Sequence, residues 1–222
     1  MKHLKIFALL SISFLLFHSC EEKVESKKKF IYTPDDIQKY LDSGNTAFFE
    51  GRYHEAIAFF DKGLEIDSQV SALYSGRGDA RAYSGDLEGA MEDLNVAARL
   101  SPNKLKVFQA RANLKLLLND YEGAADDLKT VLELDSFHIS AYRDLGGCQY
   151  FLGDLGNALQ SLNKGIMYNP IDRDAFYLRA HVNFSLNRID SACKDLQRSV
   201  DLGLTTAIPE LAELCRVEKK YQ

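Results

Sequence analysis

The sequence predicts an all-α solenoid of five helical hairpins followed by a capping helix, and three regularities carry that expectation. A period of 34 residues runs without insertion or deletion through units beginning at Ile37, Ser71, Leu105, Ile139 and Arg173. Position 20 of every unit is alanine, from Ala56 to Ala192. Position 8 is always small: Gly44, Gly78, Ala112, Gly146 and Ala180. A fixed period in the range of about 20 to 50 residues marks stacked supersecondary units that bury their apolar faces against one another. Two small columns at one phase mean that two helices cross there closely. Glycine in a helix interior costs about 1 kcal/mol relative to alanine, so its recurrence at position 8 requires a packing reason.

The elements follow in chain order. Residues 1–19 carry Lys2 and Lys5, then an apolar run from Ile6 to Phe17, and read as an export signal too short to span a bilayer. The segment Leu16-Phe17-His18-Ser19-Cys20 resembles the lipobox of bacterial lipoproteins. That resemblance implies a lipidated Cys20, with Phe17 and His18 departing from the usual pattern. Residues 20–36 then form a tether whose charged stretch from Glu21 to Lys29 has almost no apolar content. Acids directly after the cysteine resemble a surface-export signal of Bacteroidetes lipoproteins. The expected location is a bacterial cell envelope, lipid-anchored, at the outer membrane, on its periplasmic or exposed side.

The five units cover 37–70, 71–104, 105–138, 139–172 and 173–206. Position 4 is aromatic throughout (Tyr40, Tyr74, Phe108, Tyr142, Phe176), and position 24 is large and apolar (Phe60, Leu94, Leu128, Leu162, Leu196), so these fill the space beside the small pair. Position 15 holds Gly51, Gly85, Asn119, Gly153 and Asn187, residue types that tolerate a left-handed conformation at a helix end. Asp86, Asp120 and Asp154 follow, placed to cap the second helix. Residues 207–222 supply a cap, with Ile208, Leu211, Leu214 and Cys215 as its apolar stripe.

Together these columns closely resemble the tetratricopeptide repeat family, over residues 37–206. The resemblance implies a right-handed superhelix that binds proteins or peptides on a concave face lined by the first helices. Departures are the absent tryptophan at position 4, arginines Arg77, Arg111 and Arg179 at position 7, and a loosened fifth unit. In the family, positions 2, 5, 9 and 12 line the concave face. The expected peptide-binding residues are therefore Asn45, Asp79, Gln109, Asn113 and Arg143, with Tyr150, Tyr177 and His181 at an aromatic end. The clamp that some members use for a chaperone tail carboxylate is missing, because Asp144, Asp174 and Leu178 stand where it needs an amide and two cations.

Other chemistries find no footing. A formal charge of −5, which becomes −7 once the signal is removed, argues against nucleic acid as partner. Phosphate-loop, nucleophile-elbow and zinc-protease motifs are absent, and no histidine or cysteine cluster has ligand spacing. No catalytic residue, metal, cofactor or small-molecule substrate is expected. Cys148, Cys193 and Cys215 read first as small buried hydrophobes, with a Cys193–Cys215 bridge left open. The partner is thus an unidentified protein or peptide, with attachment to the membrane through the lipid. An outer-membrane or secretion assembly factor, or a peptidoglycan-associated component, remains an alternative.

Overall fold

A computed structural model describes the backbone of residues 33–221 and side chains to Cys215, so Cys20, its lipobox and most of the tether lie outside the described residues. Eleven α-helices and one 3₁₀ turn, with no strand among the described residues, build an all-α solenoid. Five antiparallel pairs succeed one another: α1 (Pro34–Phe49) with α2 (Tyr53–Ile66), α3 (Ser71–Ser84) with α4 (Leu87–Leu100), α5 (Leu105–Leu117) with α6 (Tyr121–Leu134), α7 (Ile139–Phe151) with α8 (Leu155–Tyr168), and α9 (Arg173–Ser185) with α10 (Ile189–Asp201). The turn Thr205–Ala207 leads into the last helix, α11 (Ile208–Tyr221). Each helix packs on its sequence neighbours, as in a stack in which every unit meets only the next.

The turns within the hairpins are local chemistry. Gly51, Gly85 and Gly153 take φ of 76°, 95° and 79°, and Asn119 and Asn187 take 59° and 56°, which ends each first helix in the left-handed region. Asp86, Asp120 and Asp154 then accept the backbone N–H three residues on, at 2.9, 2.9 and 3.2 Å.

The small columns serve the crossing as expected, with one refinement: position 8 makes room chiefly for position 24. A Cβ at Gly44 would stand 2.5 Å from the Phe60 ring, and one at Gly146 would stand 2.6 Å from Leu162 Cγ and 3.3 Å from the Ala158 carbonyl. We expect Gly146→Ala to destabilise by about 1–3 kcal/mol despite its gain in helix propensity, because Leu162 is fully buried and has nowhere to move. Gly156→Ala, where a Cβ meets nothing within 4 Å, should instead stabilise by up to about 1 kcal/mol. Thermal melts of the two variants in parallel test this; equal shifts would refute the crossing argument.

The position-7 arginines, departures by sequence, hold the repeats together. Arg77, Arg111 and Arg179 each donate two hydrogen bonds to a buried aspartate sixteen residues on, Asp93, Asp127 and Asp195, at 2.6–2.9 Å. A third donor of each reaches back to the preceding hairpin, at Asp61, Asn95 and Asn163. Each guanidinium also lies 5.3–5.5 Å over the position-4 ring of its own repeat. One side chain therefore ties a first helix, a second helix and the neighbouring unit. Repeat four lacks both charges: Leu145 replaces the arginine, Ser161 the aspartate, and Ser161 donates instead to Gln149 at 2.8 Å.

Two expectations are corrected at the C-terminus. Cys193 and Cys215 are joined in a disulfide, and only Cys148 is the buried free thiol expected of all three. Leu211 and Leu214 pack on Ala180, Leu196 and Ala207, whereas Ile208, counted in the same stripe, is 47% exposed, because it opens α11 before the helix has closed over the solenoid.

Candidate peptide groove

Hairpins one to three leave an open groove along their first helices. Leu41, Asn45 and Phe48 of α1, Ser75 and Asp79 of α3, and Lys104 and Lys106 at the start of α5 bound a first section of about 420 Å³. Asp79, Lys106, Gln109, Asn113 and Leu117, with His138 at the far end, bound a second section of about 720 Å³. Phe48, Asp79 and Lys106 line both, so the sections are continuous. Four predicted residues, Asn45, Asp79, Gln109 and Asn113, thus share one concavity. Position 9 comes from a stacked row of helices spaced by the close crossings at positions 8 and 20, which is why the row stays in register.

Within it, Gln109 Nε2 donates to Asn113 Oδ1 at 3.1 Å, while Gln109 Oε1 is buried with no hydrogen-bond partner. Asp79 makes no hydrogen bond or ion pair with the described residues, and burial pushes its carboxyl up to about 6. The sign of the linkage is plain. A carboxyl raised in the fold is penalised as it ionises, so Asp79 costs stability progressively from about pH 4 to pH 6, and the full cost applies above. Asp79→Asn should therefore stabilise the chain at pH 7.5 by up to about 3 kcal/mol, and the gain should vanish near pH 4. Urea titrations at the two pH values test this; an unchanged or lower midpoint at pH 7.5 would remove the strain argument.

The remaining predicted residues stand against other side chains of the protein. Arg143 pairs with Asp144 at 3.0 Å and with Asp172 at 3.3 Å, and Asp172 is also the cap of α9. Tyr150, Tyr177 and His181 do gather, with ring centroids of Tyr177 and His181 4.5 Å apart and those of Tyr150 and His181 6.2 Å apart. Glu210 of α11 leans onto this group, 3.4 Å from His181 Nε2, which is buried and makes no hydrogen bond. Burial, and then Glu210, raise the Tyr177 phenol. The aromatic end is thus partly covered by the capping helix, where a sixth first helix would otherwise stand.

Sequence reasoning missed the lip of the groove. Position 13 carries Phe49, Tyr83 and Leu117, which are 85%, 67% and 63% exposed. Phe48, Tyr53 and Tyr83 form one ring cluster with centroids 5.3–5.7 Å apart, continuous with Phe49. The signal was present as an apolar residue recurring at a phase that the core does not use. Among the described residues no group of three or more His, Cys, Asp or Glu is placed to hold a metal ion, and burial pushes the Cys148 thiol up to about 11, a poor nucleophile.

The comparisons agree with this architecture. Models described as tetratricopeptide repeat match residues 40–70 and 110–166. The chain is 31% identical over 87 residues to the TPR repeat-containing thioredoxin TTL4 of Arabidopsis thaliana, covering 39% of this chain and 13% of that protein. It is 34% identical over 79 residues to tetratricopeptide repeat protein 4 of Homo sapiens, covering 33% of this chain and 20% of that one. The chain thus spans a fifth or less of these relatives. Among solved structures, YrrB, described as a TPR protein with an unusual peptide-binding site, superposes with a TM-score of 0.71 at 21% identity, over 84% of this chain and 94% of YrrB. MamA of Desulfovibrio magneticus RS-1 gives 0.72 at 17% identity, over 77% of this chain and 97% of that one. Those two likenesses establish the fold, and with the matched repeats they show that this chain carries tetratricopeptide repeats stacked as a five-hairpin all-α solenoid.

Proposed function

We propose that the chain is a non-catalytic scaffold that holds an extended segment of a partner protein in the groove of its first three hairpins. The observation that carries this reading is the groove itself: a continuous concavity edged by exposed aromatics, whose floor presents hydrogen-bonding groups left unpaired by the fold. An extended peptide has just such unpaired backbone groups to offer, with side chains for the apolar lip. The description of YrrB as peptide-binding is consistent with it. Cross-linking and affinity purification of the membrane-bound protein is the test. One stoichiometric partner lost on joint Asn45→Ala and Asn113→Ala substitution supports the groove; undiminished recovery refutes it.

The scaffold is proposed to sit on a bacterial envelope membrane through a lipidated Cys20. The Cys193–Cys215 disulfide supports export, since such bonds persist in oxidising compartments and are rare in the reducing cytosol. Metabolic labelling with a fatty acid tests the anchor: Cys20→Ser should abolish both label and membrane retention. Persistence of both in that variant refutes lipidation.

A further inference from the structure

We infer that Asp79, together with Gln109 Oε1, is the recognition point for a single basic side chain, Lys or Arg, of the peptide that the groove holds. The inference rests on the groove reading above and deepens it.

The deeply buried carboxylates of the solenoid show what this fold does with an acid. Asp93, Asp127 and Asp195 are 3–6% exposed, and each meets an arginine in a two-bond pairing. Asp144, partly buried, meets Arg143. Asp79, half-buried like Asp144, is the exception, because it has no counter-ion. A desolvated carboxylate without a partner is unfavourable, and the ordinary remedy, an arginine sixteen residues away or a neighbouring lysine, is not used. Arg77 and Arg81, on the same helix, are both turned to Asp93. Lys104 and Lys106 line the groove but form no ion pair with Asp79, and the raised carboxyl has burial as its one cause.

The second unpaired group has the same polarity. Gln109 Oε1, buried in the adjoining section, is also an acceptor, so both of these unpaired groups seek a donor. An ammonium carries three donors and a guanidinium five, with no acceptor, which complements this set. Phe48 and Tyr83, lining the same section, can cover the aliphatic stem or face the cation. Specificity for one basic residue, not a run of them, follows from Lys104 and Lys106 along the rim, which repel a second cation and favour an acidic neighbour. Elsewhere in the position-9 row stand Asn45, Asn113, Gly147 and His181, so the carboxylate occurs once and sets the register of the bound segment.

The experiment selects phage-displayed random dodecapeptides on the full chain in detergent at pH 7.5, then measures synthetic versions of the enriched peptides by fluorescence anisotropy. The expected result is a Lys or Arg at one fixed position. Its replacement by norleucine should weaken binding to the wild-type chain about tenfold or more and leave binding to Asp79→Asn unaffected, which identifies the pair. Wild-type affinity should fall by about tenfold between pH 7.5 and pH 5 as the carboxylate is neutralised, and Asp79→Asn should abolish that dependence. Histidines titrate in this window too, so the series is repeated in His138→Gln, which should keep it. Peptides that need Asn45 and Asn113 but share no basic position, or for which norleucine is equally harmful in Asp79→Asn, overturn this inference and leave the groove reading intact. No enrichment, or peptides indifferent to every groove substitution, overturns both.

Discussion

Asp127→Ala should lower stability by about 3–5 kcal/mol, more than any other single change considered for this chain. The carboxylate is 3% exposed and accepts from Arg111 Nε and Nη2 at 2.9 and 2.6 Å, with Lys115 Nζ 2.8 Å away. Its removal strands two largely buried cations against each other in the middle of the array, where each repeat depends on its neighbours and a weak unit cannot simply fray from an end. Repeat four supplies the control. There the same three positions read Leu145, Gln149 and Ser161, a neutral set closed by one hydrogen bond. Grafting that set into repeat three as Arg111→Leu, Lys115→Gln and Asp127→Ser should recover most of the loss, to within about 1 kcal/mol of the starting chain, since a buried ion pair replaced whole costs far less than one broken. Urea unfolding followed by far-UV circular dichroism distinguishes the cases. A single variant within about 1 kcal/mol of the parent would show that these pairs do not hold the stack.

The same network shows where sequence reading stopped. Hairpin phase was legible because positions 8, 15, 16 and 20 are each dictated by a local requirement: room at a crossing, a left-handed turn, a cap. Arg77, Arg111 and Arg179 were seen one at a time as departures, because their partners lie sixteen residues on and do not enter a comparison made column by column. Reading two columns together would have found them, since Asp93, Asp127 and Asp195 occur where the arginine occurs and Ser161 where it does not. The groove divides in the same way. The row of Asn45, Asp79 and Asn113, with Gln109 beside it, follows from the period once the resemblance to the tetratricopeptide family says which positions line the concave face. Whether a residue in that row is free depends on side chains outside it: Asp172 takes Arg143, and Glu210 crowds His181. Periodicity places a side chain on a face but does not say what else reaches that face.

Reduction of the Cys193–Cys215 bond should release α11 without unfolding the hairpins. The bond closes a separation of 22 residues between the last hairpin and the cap, and loop-closure entropy puts its contribution at about 3 kcal/mol. What else holds the helix is modest: Leu211 and Leu214 against Ala180, Leu196 and Ala207, and Glu210 at the edge of the aromatic end. Because α11 packs chiefly on α10 and stands last in the stack, its loss removes an outer cap and leaves the crossings of α1 to α8 untouched. Hydrogen exchange in residues 208–215 should therefore rise by about a hundredfold in reductant or in Cys193→Ser, the equivalent of about 3 kcal/mol, with little change before residue 170. Tyr177 and His181 would then face solvent, extending the open concave surface by one repeat. Loss of protection throughout the chain would instead make the bond a fastener of the whole solenoid. No change at 208–215 would mean that the apolar contacts alone dock the cap.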